Sequence, residues 1–356
     1  MPISKWLKLG LILGVLIIVI VALLLIIPFG PSCPSTKLTF IEEKNITLDP
    51  EQGSTWSIPV FDGTNIVVSC ESRWNITLRK YDLDLNPIGP AVEVVNNTDA
   101  GNQYISDHKH IFQNGYHYIL FAAWNDTVTW GNGSLFLIQL DSDFNRVNFT
   151  CVAWNDPPVN DMLLVGDGIN VYAGKFLPSD IPGAIHKIRK YDTNLNWLAN
   201  YSEGIGDTTH VNGGATIFYD NKFYMVAPNK IGPGANSLYY LIIYDLDWNA
   251  VETPKIILNV PNKLGLINGL SVFEQRFIIH YCFGPYEANP IARAVYDCNW
   301  NLLQNETVYS WGEGDNTTGH HAPHTIIVGD TLYLGYTNQT PSFNGGLAKF
   351  QVSSSI

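Results

Sequence analysis

Six histidines of this chain recur at related places: His108, His110, His210, His320, His321 and His324 each precede or begin a short apolar stretch that runs into a tight turn. The second residue of each apolar pair gives a common reference. Four places before it stand Ser57, His108, Asp161, Gly214, Gly269 and His324, and eight places before it, in two of the stretches, His210 and His320. Steps of two and four along an extended strand keep side chains on one face. The pattern therefore predicts a polar cluster of His108, Asp161 and His324, with His210 and His320 above it. Imidazole and carboxylate groups suit a divalent transition metal such as Zn²⁺, Fe²⁺ or Cu²⁺, and His108, His210, His320 and His324 are its candidate ligands. The same groups suit a general acid and base, for which His108, Asp161, His210 and His324 are the catalytic candidates. No His-Glu-x-x-His, Gly-x-Ser-x-Gly or glycine-rich phosphate loop is present.

Aromatic residues form a second resource. Trp124, Trp130, Tyr286 and Trp311 fall in segments expected at one end of the fold, where stacked rings suit a saccharide ligand. Carboxylates in the same segments include Asp107, Asp161, Glu287, Glu313 and Asp315.

A repeat supplies the elements that must position these groups. Tyr/Leu-Asp-x-Asp/Asn-x-Asn occurs at Tyr81–Asn86, Leu140–Asn145, Tyr191–Asn196, Tyr244–Asn249 and Tyr296–Asn301, with a sixth, incomplete copy at Phe350. Before each copy an apolar pair meets a turn, as in Val60-Phe61-Asp62-Gly63 and Leu164-Val165-Gly166-Asp167-Gly168. These are hairpin signals, two to each period, so every period holds four strands. That is the content of a propeller blade. The Asp and Asn of the repeat read as turn-forming residues, because the Gly and Glu that a calcium loop needs are missing. The last copy stops after its third strand, while Leu38–Leu48 is a spare strand ahead of the first. The expectation is an all-β, six-bladed β-propeller over residues 38–356, closed by an N-terminal strand that leaves no open edge.

The stretches from His110 to Phe121 and from Ala322 to Tyr336 resemble the first hairpins of glycosidase-type β-propellers. The resemblance implies the architecture. It carries no catalytic residues, since those enzymes usually have five blades and three placed carboxylates, and the Ser-x-Asp-x-Gly-x-x-Trp box of sialidase-like propellers is absent.

The N-terminus indicates where such a domain works. Residues 9–28 form an apolar stretch long enough to cross a bilayer, after a short basic segment, residues 1–8, and before a linker, residues 29–37. A single-pass signal anchor is expected, a transmembrane helix ahead of the propeller, with a cleaved signal peptide as the alternative. The N-terminus is then cytoplasmic and the propeller extracellular at the cell membrane. Ten sequons, at Asn45, Asn75, Asn96, Asn125, Asn132, Asn148, Asn200, Asn305, Asn316 and Asn338, predict N-linked glycans. Five cysteines fit an oxidising compartment. Cys282 and Cys298 flank one hairpin and are expected to pair, leaving Cys70 with Cys151, and Cys33 odd. A formal net charge of −12 excludes a nucleic-acid binder.

The leading expectation is therefore a glycosylated, membrane-anchored propeller acting as a binding or envelope-structural module, with a saccharide or protein ligand on its loop face. The first alternative is an extracellular hydrolase or lyase on small saccharide-like substrates, using a His/Asp site at the channel mouth. The second is a self-assembling surface-layer or filament subunit.

Overall fold

The described residues fold into six four-stranded antiparallel sheets. The structure is a computed structural model that describes residues 33–48, 56–72, 74–99, 101, 104–124, 133–153, 162–176, 185–204, 214–230, 237–260, 264–284, 290–309, 323–338 and 344–354. The first strands of blades one to six are Ser57–Phe61, Tyr104–Gln113, Met162–Gly166, Ala215–Tyr219, Leu264–Phe273 and His324–Val328. In blades one to five the chain adds three more strands in order. Blade six takes its fourth from the N-terminus: Leu38–Thr47 pairs antiparallel with Asn344–Ser354, from Leu38 opposite Ser354 to Thr47 opposite Gly346.

Ring closure is visible in the packing. Six apolar clusters lie at the six junctions between neighbouring blades, and the last joins blade six (Tyr333, Leu347) to blade one (Ile66, Val68). Side chains alternate along each strand between the two junctions. In the first strand of blade two, Phe112 packs towards blade one and Ile111 towards blade three. The clasp has its own fastening. Buried Arg293 lies 3.5 Å from the Phe40 ring and donates 3.0 Å to His280 Nε2, and Arg276 donates to the Thr36 carbonyl at 3.0 Å.

The five repeated turns show why their sequence recurs. In the first, Asp82 Oδ1 accepts from the Asp84 and Asn86 amides, and Asn86 Nδ2 donates to Asp82 Oδ2. The other four repeat this pattern. The residue before each Asn takes a positive φ: Leu85 (58°), Phe144 (67°), Leu195 (59°), Trp248 (59°) and Trp300 (63°). A left-handed conformation costs an L-residue about 1–2 kcal/mol, and full burial of a large apolar side chain returns about 1.5–3 kcal/mol. Leu85, Leu195, Trp248 and Trp300 are all buried between blades, so the side chain offsets the strain that Gly would avoid.

The cysteines differ from expectation. Cys33 is joined to Cys298, while Cys70, Cys151 and Cys282 are thiols, so neither Cys282–Cys298 nor Cys70–Cys151 forms. The reason for the first is register: Cys282 stands opposite Ile291 at one end of its hairpin, and Cys298 lies in the turn beyond Tyr296 at the other end of that strand. Cys70 and Cys151 lie in different sheets: Cys70 stands opposite Thr77, and Cys151, on the outer strand of blade two, stands opposite Phe136. Burial pushes the Cys70 and Cys282 thiols up to about 12. Alkylation of the unreduced, denatured chain is expected to mark Cys70, Cys151 and Cys282, and Cys33 and Cys298 only after reduction. Peptide mass spectrometry reads the result, and a mark on Cys298 before reduction would contradict the pairing.

No helix among the described residues is long and apolar enough to cross a membrane, and residues 9–28 lie outside the described residues.

Candidate functional site

Each first strand stands edge-on to the central axis, so its side chains turn towards the neighbouring blades as much as into the channel. This redirects the histidine pattern. His108 is fully buried between blades one and two. Its Nδ1 lies 3.1 Å from Glu71 Oε2 and its Nε2 2.8 Å from Ser69 Oγ, both on the second strand of blade one, Ile66–Glu71. With Nδ1–H donating to Glu71, Nε2 accepts from the Ser69 hydroxyl, and the ring locks the carboxylate in place.

His324 lies in the channel wall of blade six, 7% exposed. Burial, with smaller contributions from the charges of Lys109 and His108, holds its pKa well below the usual imidazole range. Asp161, His210 and His320 lie outside the described residues, as do Trp130, Tyr286 and Trp311. Among the described residues no three His, Cys, Asp or Glu side chains gather as a metal site requires.

Trp124 ends the second strand of blade two, Tyr116–Trp124, and packs partly buried against the core between blades two and three. The sequon residues Asn96, Asn148, Asn200 and Asn305 lie on fourth strands and Asn45 on the clasping strand, with Asn75 opening a third strand. Asn338 ends a second strand, and Asn125, Asn132 and Asn316 lie outside the described residues.

The structure also brings together residues that the repeat did not single out. Among the described Asp and Glu side chains, three are buried: Glu71 (6% exposed), Asp107 (7%) and Asp297 (7%). Asp297 is a turn residue at the opposite end of its blade. Glu71 and Asp107 belong to the loop end of blades one and two; Glu71 meets His108 across the junction, and Asp107 precedes His108 in the chain. A bulge falls between Ser106 and His108, where Asp107 has φ 54°. Bulges of this kind re-aim side chains and are over-represented beside active sites. Three residues beyond Glu71, Trp74 is 47% exposed, and three residues before Asp107 stands Tyr104; their rings lie 4.4 Å apart. One buried carboxylate, the imidazole that holds it and an aromatic pair thus share one junction, and a second buried carboxylate, Asp107, stands next to that imidazole in the chain. The signal in the sequence was the short two–three loop of blade one, Glu71-Ser72-Arg73-Trp74, which the histidine pattern overshadowed.

Two further histidines pair on the same junction, nearer the short turns. His110 Nε2 lies 3.1 Å from His117 Nδ1, and His117 is ringed by Phe112 and Phe144. Burial is the largest cause lowering both: His110 lies well below the usual range, and His117 is lowered to about 4.

No protein-family model and no curated protein matches the sequence. Solved structures match in fold. A Trypanosoma rangeli sialidase in complex with 2,3-difluorosialic acid aligns with TM-score 0.55 and 11% identity, over 90% of this chain and 58% of that one. Phage phi92 endosialidase aligns with TM-score 0.57 and 8% identity, over 90% and 70% of the two chains. A GH43 endo-arabinanase from Bacillus licheniformis gives 0.42 and 10% identity, over 85% and 94%. The chain thus spans 58% of the length of the Trypanosoma rangeli sialidase, and at these identities the likeness is one of fold. The leading expectation of a binding or envelope-structural module is nevertheless corrected, since the two sialidase matches fit the hydrolase alternative better.

Proposed function

We propose that this protein is a hydrolase of small saccharide-like substrates, acting at the loop end of the junction between blades one and two. The observation that carries the reading is two buried carboxylates at the loop end, Glu71 held by His108 and Asp107 next to His108 in the chain, with the Trp74–Tyr104 rings at the same junction. Glycosidic cleavage uses two carboxyl groups, one to protonate the leaving oxygen and one to attack the sugar or activate water. Glu71, oriented by His108, takes the second part, and Asp107 on the adjoining blade takes the first. The exposed Trp74 face stacks on the sugar ring, whose C–H groups are apolar and whose hydroxyls stay wet. His108 is a positioning residue, since its two ring nitrogens are engaged by Glu71 and Ser69.

The two sialidase neighbours support this reading as precedent for sialidase chemistry on a similar fold. Their catalytic residues are not carried over. The test is hydrolysis of a panel of chromogenic aryl glycosides by the full chain. Turnover of at least one member is expected, with KM raised by roughly tenfold in Trp74→Ala and kcat little changed. A panel left uncleaved, or a Trp74→Ala variant with unchanged KM, would overturn the assignment.

A further inference from the structure

The fourth strand of each blade is a sheet edge, with one row of backbone N–H and C=O groups open to pairing with another chain. Charged side chains and Pro blunt such edges. Four blades carry them on the outer strand: Pro87 and Pro90 in blade one, Arg146 in blade two, Lys255 in blade four and Lys44 on the clasping strand of blade six. The outer strands of blades three and five, Trp197–Gly204 and Leu302–Tyr309, contain no Lys, Arg or Pro. They are also apolar at the surface, since Trp197 is 62% exposed, Leu198 52% and Leu302 49%. Each of these two strands carries an Asn-x-Ser/Thr sequence, at Asn200 and Asn305.

These two asparagines differ from the other sequon residues whose side chains are described. Asn45 donates from Nδ2 to the Tyr309 hydroxyl, Asn75 and Asn96 to Glu93, and Asn148 to Gln139. Asn200 and Asn305 are exposed and engaged only through Oδ1, which accepts from Trp197 Nε1 at 3.0 Å and from the Tyr281 hydroxyl at 2.8 Å. Among the described residues neither Nδ2 has a partner. A bulge makes Leu198 the extra residue of its strand, with Lys190 opposite Ala199 and Tyr191 opposite Trp197. The exposed indole thus stands beside the Asn200 amide.

We propose that Asn200 and Asn305 carry N-linked glycans that guard the two unblunted edges, and that the first sugar on Asn200 stacks on Trp197. The donor is a lipid pyrophosphate-linked oligosaccharide. Nδ2 forms a bond to the anomeric carbon and gives up a proton, while the anomeric C–O bond breaks and the lipid pyrophosphate leaves. The pyranose turns its C–H groups to the indole and keeps its hydroxyls in water.

The full chain is produced in insect cells, held in lipid nanodiscs and mapped by glycopeptide mass spectrometry. Glycan is expected on Asn200 and Asn305. Ser202→Ala and Thr307→Ala destroy the two acceptor sequences and leave the asparagines in place. Ser202→Ala should lower the unfolding midpoint by about 1–2 °C more in the Trp197 chain than in Trp197→Ala, where no ring is left to stack on. Ser202→Ala/Thr307→Ala should self-associate, by light scattering, at concentrations where the wild type stays monodisperse. Occupancy is read on the wild type, so it decides the sites even if a variant does not fold. Unmodified Asn200 and Asn305 would overturn the proposal. Equal midpoint shifts in both backgrounds would overturn the stacking on Trp197, and a monodisperse double variant would overturn the guarding role. None of these outcomes depends on glycoside turnover, so the glycan sites and the hydrolase reading fail separately.

Discussion

Glu71→Gln and Asp107→Asn are each expected to lower kcat by 10²–10⁴, roughly the range of a lost general acid or base, while leaving the fold intact. Both side chains are buried and both replacements preserve shape, so thermal unfolding separates a catalytic loss from a structural one. The two should also differ in character. Loss of the acid hurts substrates with poor leaving groups most, so Asp107→Asn should spare activated aryl glycosides more than alkyl ones, whereas Glu71→Gln should depress both. His108→Gln, which keeps a hydrogen-bonding group near Glu71, should fall between wild type and Glu71→Gln. Equal turnover in wild type and both carboxylate variants would remove the site from this junction.

The second large effect concerns acid. His117 is fully buried and its pKa is lowered to about 4, chiefly by burial, with Asp62 and Asp141 opposing the shift and Lys80 adding to it. His110, His280 and His324 are depressed in the same direction. The unfolded chain takes up these protons near pH 6.5, whereas the folded chain resists them. The contribution is thus complete above about pH 6.5 and is lost as pH falls towards about 4. For His117 alone the difference corresponds to about 3 kcal/mol. The turn aspartates, whose pKa values are also lowered, act in a separate window below the ordinary Asp value near 3.9. Urea midpoints are expected to fall steeply between pH 6.5 and 4.5, and less steeply in His117→Leu. A flat midpoint across that interval would contradict the burial of neutral histidines.

The repeat made the ring legible because it rests on local chemistry. Each Asp-to-Asn turn closes on itself within five residues, and each hairpin declares its register through its apolar pair. The clasp was legible because Leu38–Thr47 lacks a blade of its own and the last copy lacks a strand. The site was less legible because it is built across a junction. Glu71 and His108 are 37 residues apart and meet only when blade two packs on blade one. Counting along the first strand put His108 in the channel, but an edge-on strand sends alternate side chains to its neighbours. The bulge at Asp107 then breaks the alternation at the mouth. Cysteine pairing failed for a related reason: closeness in sequence placed Cys282 and Cys298 on one hairpin, while register placed them at opposite ends of it.

The most direct test of the site is a crystal structure of the Glu71→Gln/Asp107→Asn variant soaked with whichever aryl glycoside the panel identifies as cleaved by the wild type. The expected result is a sugar ring stacked on Trp74, with its glycosidic oxygen between positions 71 and 107. A sugar bound at another junction of the loop face, with this one empty, would contradict it.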